Sequence, residues 1–245
     1  MKSLRGDSLG DRMKGYEKVP SNKLLRRMPV IIRLDGKAFH TYTRGMDKPF
    51  DNDLSYVRQK TLNELCDNIQ GVIMGYSQSD ELSLVLKDWD TFQTNAWFDN
   101  KIQKLCSVSA SMCTAYWSRH ADAVDMVRTT GQDKFSGKLA LFDSRCFNLP
   151  KEEVVNYLLW RQQDWERNSI QMLAQSFYSH KELQGWSCKA LVTRIEEEQG
   201  VIWRQLPNNQ KRGEFWIKGK GEVTQTPLFK DIRSDLETLL YKEDN

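Results

Sequence analysis

The chain of 245 residues is 39% hydrophobic and 28% charged, with 36 Lys and Arg against 33 Asp and Glu and a formal net charge of +3. Eight tryptophans and 11% aromatic residues supply ample apolar surface for one substantial core, which excludes an intrinsically disordered chain. No apolar run approaches the roughly 20 residues of a membrane helix, the polar N-terminus lacks the apolar centre of a secretory signal, and the small net charge does not by itself point to a polyanion.

The five cysteines, Cys66, Cys106, Cys113, Cys146 and Cys188, are odd in number and lack zinc-finger spacing. They read as reduced thiols, which places the protein in the cytoplasm. From the N-terminus, the first predicted element is a buried strand over Pro29–Asp35, PVIIRLD, a β-branched run ending in a carboxylate. After a loop carrying Gly45 and Pro49, residues 51–69 show helical spacing at Leu54, Val57, Leu62, Leu65 and Ile69, with a cap at Asp51, Asn52 or Asp53. Val72–Met74 and Leu82–Leu86 predict two strands of a hairpin. A second helix is expected over Trp97–Trp117, a polar mobile connection over His120–Gly137, and a strand over Leu139–Phe142. Pro150 then opens a long helix with Glu152 and Glu153 in its first turn. Beyond Glu182 the chain is charged, with basic turns at Lys211-Arg212-Gly213 and Lys218-Gly219-Lys220.

The order strand, helix, strand–strand, helix, strand is the split β-α-β, or ferredoxin-like, arrangement of the α+β class, with two helices covering one face of the sheet. The expected organisation is an N-terminal extension (1–28), a core (29–150) and a C-terminal helical and basic region with a small strand portion packed on the core (151–245).

Three carboxylates gain meaning from that order. Asp35 ends the first strand, while Asp80 and Glu81 sit at the hairpin between the second and third. The first and third strands are neighbours in such a sheet, so residues 45 positions apart in sequence share one sheet edge. Two carboxylates there suit Mg²⁺, a hard cation commonly completed by substrate phosphates, and two such ions about 4 Å apart assist an in-line displacement. The plainer alternative is that acidic turn residues are solvated or capping, and Asp51 has a helix-cap role that competes with ligand contact. The turn Gly36-Lys37-Ala38-Phe39-His40 offers backbone amides to phosphate, and Lys48 can neutralise one. Lys101 and Lys104 share a helix face extended by Ser107 and Ser111, which equally reads as a solvent face. Arg145 can reach the same sheet edge, while Arg161 and Arg167 lie on different faces of the long helix.

Five motifs then appear in order: R-L-D-G-K-A-F-H (Arg33–His40), K-P-F-D (Lys48–Asp51), G-Y-S-Q-S-D-E (Gly75–Glu81), F-D-S-R (Phe142–Arg145) and Y-L-L-W-R-Q-Q-D (Tyr157–Asp164). The set resembles the tRNA-histidine guanylyltransferase superfamily, whose members add nucleotides in the 3′-to-5′ direction at the 5′ end of RNA. The resemblance implies a polymerase-palm fold and a two-Mg²⁺ site, with Asp35 and Asp80 as metal-binding carboxylates and the Gly36 carbonyl as a further ligand. It implies that Glu81 is important to activity. It also implies that Lys37, Ala38, Phe39 and His40 meet the incoming nucleotide, that Lys48, Asp51, Lys104, Arg145 and Asn168 bind nucleotide or triphosphate, and that Lys211 and Arg212 contact RNA. ATP, GTP or other nucleoside triphosphates would be substrates, tRNA the partner, and a homotetramer the assembly.

One departure is informative. Glu166-Arg167-Asn168-Ser169 stands where eukaryotic members carry H-I-N-N, Phe50 stands for asparagine and Ser144 for glycine. This version resembles the guanylyltransferase-like branch that repairs 5′-truncated tRNAs by templated addition. The alternatives are addition of a single 5′ G to tRNA-histidine, another palm-fold nucleotidyltransferase or cyclase, and a non-catalytic RNA-binding module of the same topology. The last is disfavoured because VIIRLD and ELSLVL carry no stacking aromatics.

Overall fold

The computed structural model describes residues 8–128 and 133–241. In chain order the elements are α1 (Leu9–Lys18), β1 (Val30–Gly36), α2 (Phe39–Tyr42), α3 (Asn52–Asn68), β2 (Val72–Gln78), β3 (Glu81–Leu86), α4 (Ile102–Val127), β4 (Phe142–Asn148), α5 (Lys151–Phe177), α6 (His180–Leu183), α7 (Cys188–Gln199), α8 (Asn208–Arg212), β5 (Glu214–Ile217), β6 (Gly221–Val223) and α9 (Arg233–Tyr241). The strands form one antiparallel sheet in the order β4-β1-β3-β2-β5-β6.

Alternation along the strands decides what covers the sheet, because successive side chains point to opposite faces. Val30, Ile32, Leu34, Leu82 and Leu84 pack with Val57, Leu62 and Leu65 of α3 and Leu105, Cys113 and Trp117 of α4. Ile31, Met74, Tyr76 and Val85 face the other way, onto Val154, Val155 and Leu158 of α5 and Leu236 and Leu240 of α9. The C-terminal half of α5 carries Ile170, Leu173 and Ala174 into a third apolar cluster with Leu191 and Ile195 of α7. The sheet is therefore covered on both faces, α3 and α4 on one and α5 on the other, which is why β2 and β3 are buried along their whole length.

Several sequence expectations shift. β2 runs on through Gly75, Tyr76, Ser77 and Gln78, a polar end that looks like a turn until its burial on both faces is seen. Trp97–Asn100 is a separate 3-10 segment with positive φ at Phe98, Asp99 and Asn100, so α4 begins only at Ile102. At its other end α4 continues ten residues beyond Trp117, because Ala121 and Val124 prolong the apolar stripe of Cys113 and Trp117. The expected mobile connection at His120–Gly137 is thus helical as far as Val127, and 129–132 lie outside the described residues. The strand expected at Leu139–Phe142 begins only at Phe142, with Leu139 and Leu141 exposed. Arg145 consequently lies inside β4, opposite Arg33, and not beyond a strand.

Candidate active site

β1 and β3 are neighbours, with Asp35 opposite Glu81, so the three carboxylates meet at one end of the sheet. Ser79 and Asp80 form a two-residue link between β2 and β3, with Ser79 in the left-handed region at φ 51°. The Gly36 amide donates to the Asp80 carbonyl at 3.0 Å, joining the end of β1 to that link. A Cβ on Gly36 would stand 2.2 Å from Phe39 Cδ2 and 2.9 Å from Asp80 Cβ, so only glycine lets these three residues approach.

The carboxylates have different surroundings. Asp35 is half-buried, with Arg145 Nη2 at 3.7 Å and Arg33 Nη2 at 3.9 Å from its Oδ2. Asp80 accepts a hydrogen bond from the Ser79 side chain; burial pushes its carboxyl up, that hydrogen bond pulls it back, and the Asp35 charge adds to the rise. Glu81 is buried between two guanidiniums, Arg33 Nη2 at 2.6 Å and Arg161 Nη1 at 2.8 Å. Burial raises the Glu81 carboxyl, opposed by Arg161 and then Arg33. Both guanidiniums meet the same oxygen, Oε2, so Glu81 anchors charge beside Asp35 and Asp80.

A cleft of about 290 Å³ opens beside Asp80. Its wall includes Phe39, His40, Lys48, Asp51, Arg58 and Trp165, so the β1–α2 turn, the loop before α3, the Ser79–Asp80 link and α5 share one space. Ala38 takes a left-handed conformation at φ 53°, which turns the chain sharply into α2. Phe39 points away into the core against Tyr42, Trp117 and Phe142, leaving His40 exposed at the rim. Lys37 is exposed, its amide donating to the Leu141 carbonyl at 2.8 Å.

Sequence and structural comparisons bear on this arrangement. A family model described as tRNAHis guanylyltransferase matches residues 10–150, more than half of the chain. The chain belongs to the tRNA(His) guanylyltransferase family. Its members so named are nucleotidyltransferases, and this chain is an enzyme of that kind. It is 42% identical, with a TM-score of 0.89, to a bacterial tRNA(His) guanylyltransferase-like protein solved in complex with ATP, over 96% of this chain and 100% of that one. The tRNA(His) guanylyltransferase of Candida glabrata is 26% identical over 87% of this chain and 92% of its own length. The Saccharomyces cerevisiae enzyme, at 21% identity and a TM-score of 0.73 over 87% of this chain and 95% of that one, shares the fold.

For a guanylyltransferase-family site, the remaining expected residues fall into two groups. Arg145 stands beside Asp35, while Asn168 lies three residues after Trp165 and four before Met172, on the stripe of α5 that walls the cleft. Asp51 is fully committed as the cap of α3: it accepts from Leu54 N and Asp47 N, both at 3.0 Å, and from Lys134 Nζ at 2.8 Å. Lys104 lies elsewhere, in a second recess with Arg26, Asp99 and Lys101, and does not share the Asp80 cleft. Lys211 and Arg212 end α8; Lys211 Nζ donates to the Arg204 carbonyl at 2.6 Å, while Asn209 and Gln210 of the same turn line the cleft.

Arg58, Arg161, Trp165 and Glu214 carry no role expected from the sequence. The signal was present in two of them: Arg58 interrupts the apolar stripe of Leu54, Leu62 and Leu65, and Arg161 that of Leu158 and Trp165. A cation on an apolar helix stripe points to a buried carboxylate partner.

Proposed function

We propose that the protein is a 3′-to-5′ nucleotidyltransferase that rebuilds the 5′ ends of truncated tRNAs against the opposing acceptor strand. The observation that carries the reading is the meeting of Asp35 and Asp80 at the end of a β4-β1-β3-β2 sheet, beside a cleft large enough for a nucleotide. The same strand order supports describing the core as palm-like, with 29–150 as its catalytic unit. The ATP-bound bacterial relative supports ATP as a substrate, and GTP or another triphosphate would supply the added unit.

The donor set fits Mg²⁺. Asp35 and Asp80 repel one another, Asp35 meets Arg145 and Arg33 only at 3.7 and 3.9 Å, and the Gly36 carbonyl would add a third hard oxygen. Among the described residues no group of three or more His, Cys, Asp and Glu side chains could hold an ion, which suits a site completed by substrate phosphates better than a protein cage. When bound there, the metal would neutralise phosphate charge and lower the pKa of an attacking hydroxyl.

The chain's own groups position the reactants, which is most of what phosphoryl transfer requires. For a 5′-monophosphate end, a phosphate oxygen attacks the α-phosphorus of ATP; the P–O bond to the leaving group breaks, pyrophosphate departs, and a 5′-adenylylated end results. The 3′-hydroxyl of the incoming nucleotide then attacks that 5′-phosphorus, loses its proton and releases AMP. Lys37–His40 present main-chain groups to the nucleotide, Lys48 and Arg145 balance phosphate charge, and Glu81 holds Arg33 and Arg161 in place. Pairing with the acceptor strand selects the base, so the protein reads RNA by shape and backbone, to which Lys211 and Arg212 contribute.

The test is extension of a 5′-truncated tRNA with the opposing nucleotide varied. Incorporation that follows the template supports repair. Incorporation of one G whatever the opposing base would refute templated repair in favour of single-G addition.

A further inference from the structure

A buried ion pair lies directly behind the Ser79–Asp80 link. Arg58 of α3 donates through Nε to Glu214 Oε2 at 2.7 Å and through Nη2 to Oε1 at 2.5 Å, a bidentate pair with both side chains about 5% exposed or less. Its remaining nitrogen, Nη1, donates to the Ser79 carbonyl at 3.1 Å. Ser77, two residues earlier in β2, donates through Oγ to Glu214 Oε2 at 2.8 Å. The carboxylate is thereby satisfied on both oxygens, and the guanidinium spans β5 and the turn that carries Asp80. Glu214 follows Gly213, whose φ is 73° and where a Cβ would stand 2.4 Å from the Ser77 carbonyl, so α8 is fastened to β2 at the same point.

Stability alone does not account for such a pair, since buried ion pairs are often matched by apolar residues of similar volume. What a fork adds is register: it fixes two separate groups in one plane. We propose that Arg58 and Glu214 are positioning residues for nucleotidyl transfer, clamping the Ser79–Asp80 turn and the α8–β5 junction to α3 so that Asp80, Asn209 and Gln210 hold one cleft geometry. The C-terminal segment is on this view part of the active-site scaffold. The inference rests on the reading that Asp80 acts in nucleotidyl transfer.

The test uses the full-length protein as R58M/E214L, which removes the charges together, and as R58K, which keeps a cation facing Glu214 but has one nitrogen where two directions must be served. D80A is run alongside. The expected result is a folded R58M/E214L variant with an unchanged KM for tRNA and kcat lowered roughly 100-fold, the order of loss that a displacement of about 1 Å produces. R58K should show the same fall in kcat without rescue. Wild-type kcat in either folded variant overturns the inference, as does a change confined to KM. Loss of the fold in both variants would assign the pair to stability and also overturn it. If D80A is inactive while R58M/E214L is fully active, only this inference fails. If D80A is itself fully active, the reading of the cleft fails.

Discussion

Replacing Gly36 with alanine tests the geometry of the site at its tightest point. The added Cβ would meet Phe39 Cδ2 at 2.2 Å, Phe39 Cε2 at 2.4 Å and Asp80 Cβ at 2.9 Å, so one side must yield by roughly 1 Å to reach ordinary contact. Phe39 cannot yield easily, because its ring is buried and held at centroid distances of 4.9 Å from Tyr42, 5.3 Å from Trp117 and 5.2 Å from Phe142. Gly36 does not have a positive φ, so the backbone tolerates alanine and the effect is one of crowding. Overpacking of this kind costs about 1–3 kcal/mol, which lowers the Tm of a domain this size by roughly 2–12 °C. Displacement of Asp80 by about 1 Å should lower nucleotide addition roughly 100-fold. The assay is incorporation into a 5′-truncated tRNA, paired with thermal melting. Replacing the ring in G36A/F39L should restore part of the activity relative to G36A alone. Wild-type activity in G36A, or no recovery in the double variant, would refute the packing argument.

Other outcomes follow from the same contacts. E81A should lose about 3–5 kcal/mol of stability, because Arg33 and Arg161 are left without their shared carboxylate, a loss readable in the denaturant midpoint. D80N should melt at a higher temperature than the parent at pH 7 while losing activity. The folded state raises the Asp80 pKa, so its favourable contribution is full below the ordinary aspartate range and is lost as pH rises through the folded value; the difference between the two proteins should vanish once the pH falls below the ordinary aspartate range. Asp51 shifts the opposite way: although burial alone would raise it, its hydrogen bonds from Lys134, Leu54 and Asp47 leave its carboxyl below the ordinary value. It therefore stabilises above the unfolded pKa, and that stability falls away as pH drops through the folded pKa, a slope that D51N should flatten in acid melts.

Much of this fold was legible because hydrophobic periodicity marks elements that bury one or two faces. VIIRLD, the α3 stripe and the Pro150 start of α5 declare themselves that way. What stayed hidden was decided by tertiary burial. Ser77 and Gln78 read as turn residues, yet they are buried strand, since Ser77 faces Glu214 and Gln78 pairs with Glu81. α4 outlasts its expected end because Ala121 and Val124 are weak signals individually and matter only when the stripe is followed across the sheet. At the site, the approach of Asp35 and Asp80 to one sheet edge was readable from order alone, because topology brings together strand ends. The opposite character of Glu81 was not, since its two arginines come from β1 and α5. Lys104 stands in a separate recess for the same reason: helical spacing gives a face, not the end of the sheet at which that face stands. The Asp51 cap was one of two roles open to it, and its contact with Lys134, 83 residues away, was not legible.

The most direct test of the central claim is single-turnover nucleotide addition to a 5′-truncated tRNA by D35A and by D80A, each shown by melting to be folded. If the two carboxylates form the reaction centre, both variants lose addition while still binding tRNA. Addition at the parent rate by either folded variant would contradict it.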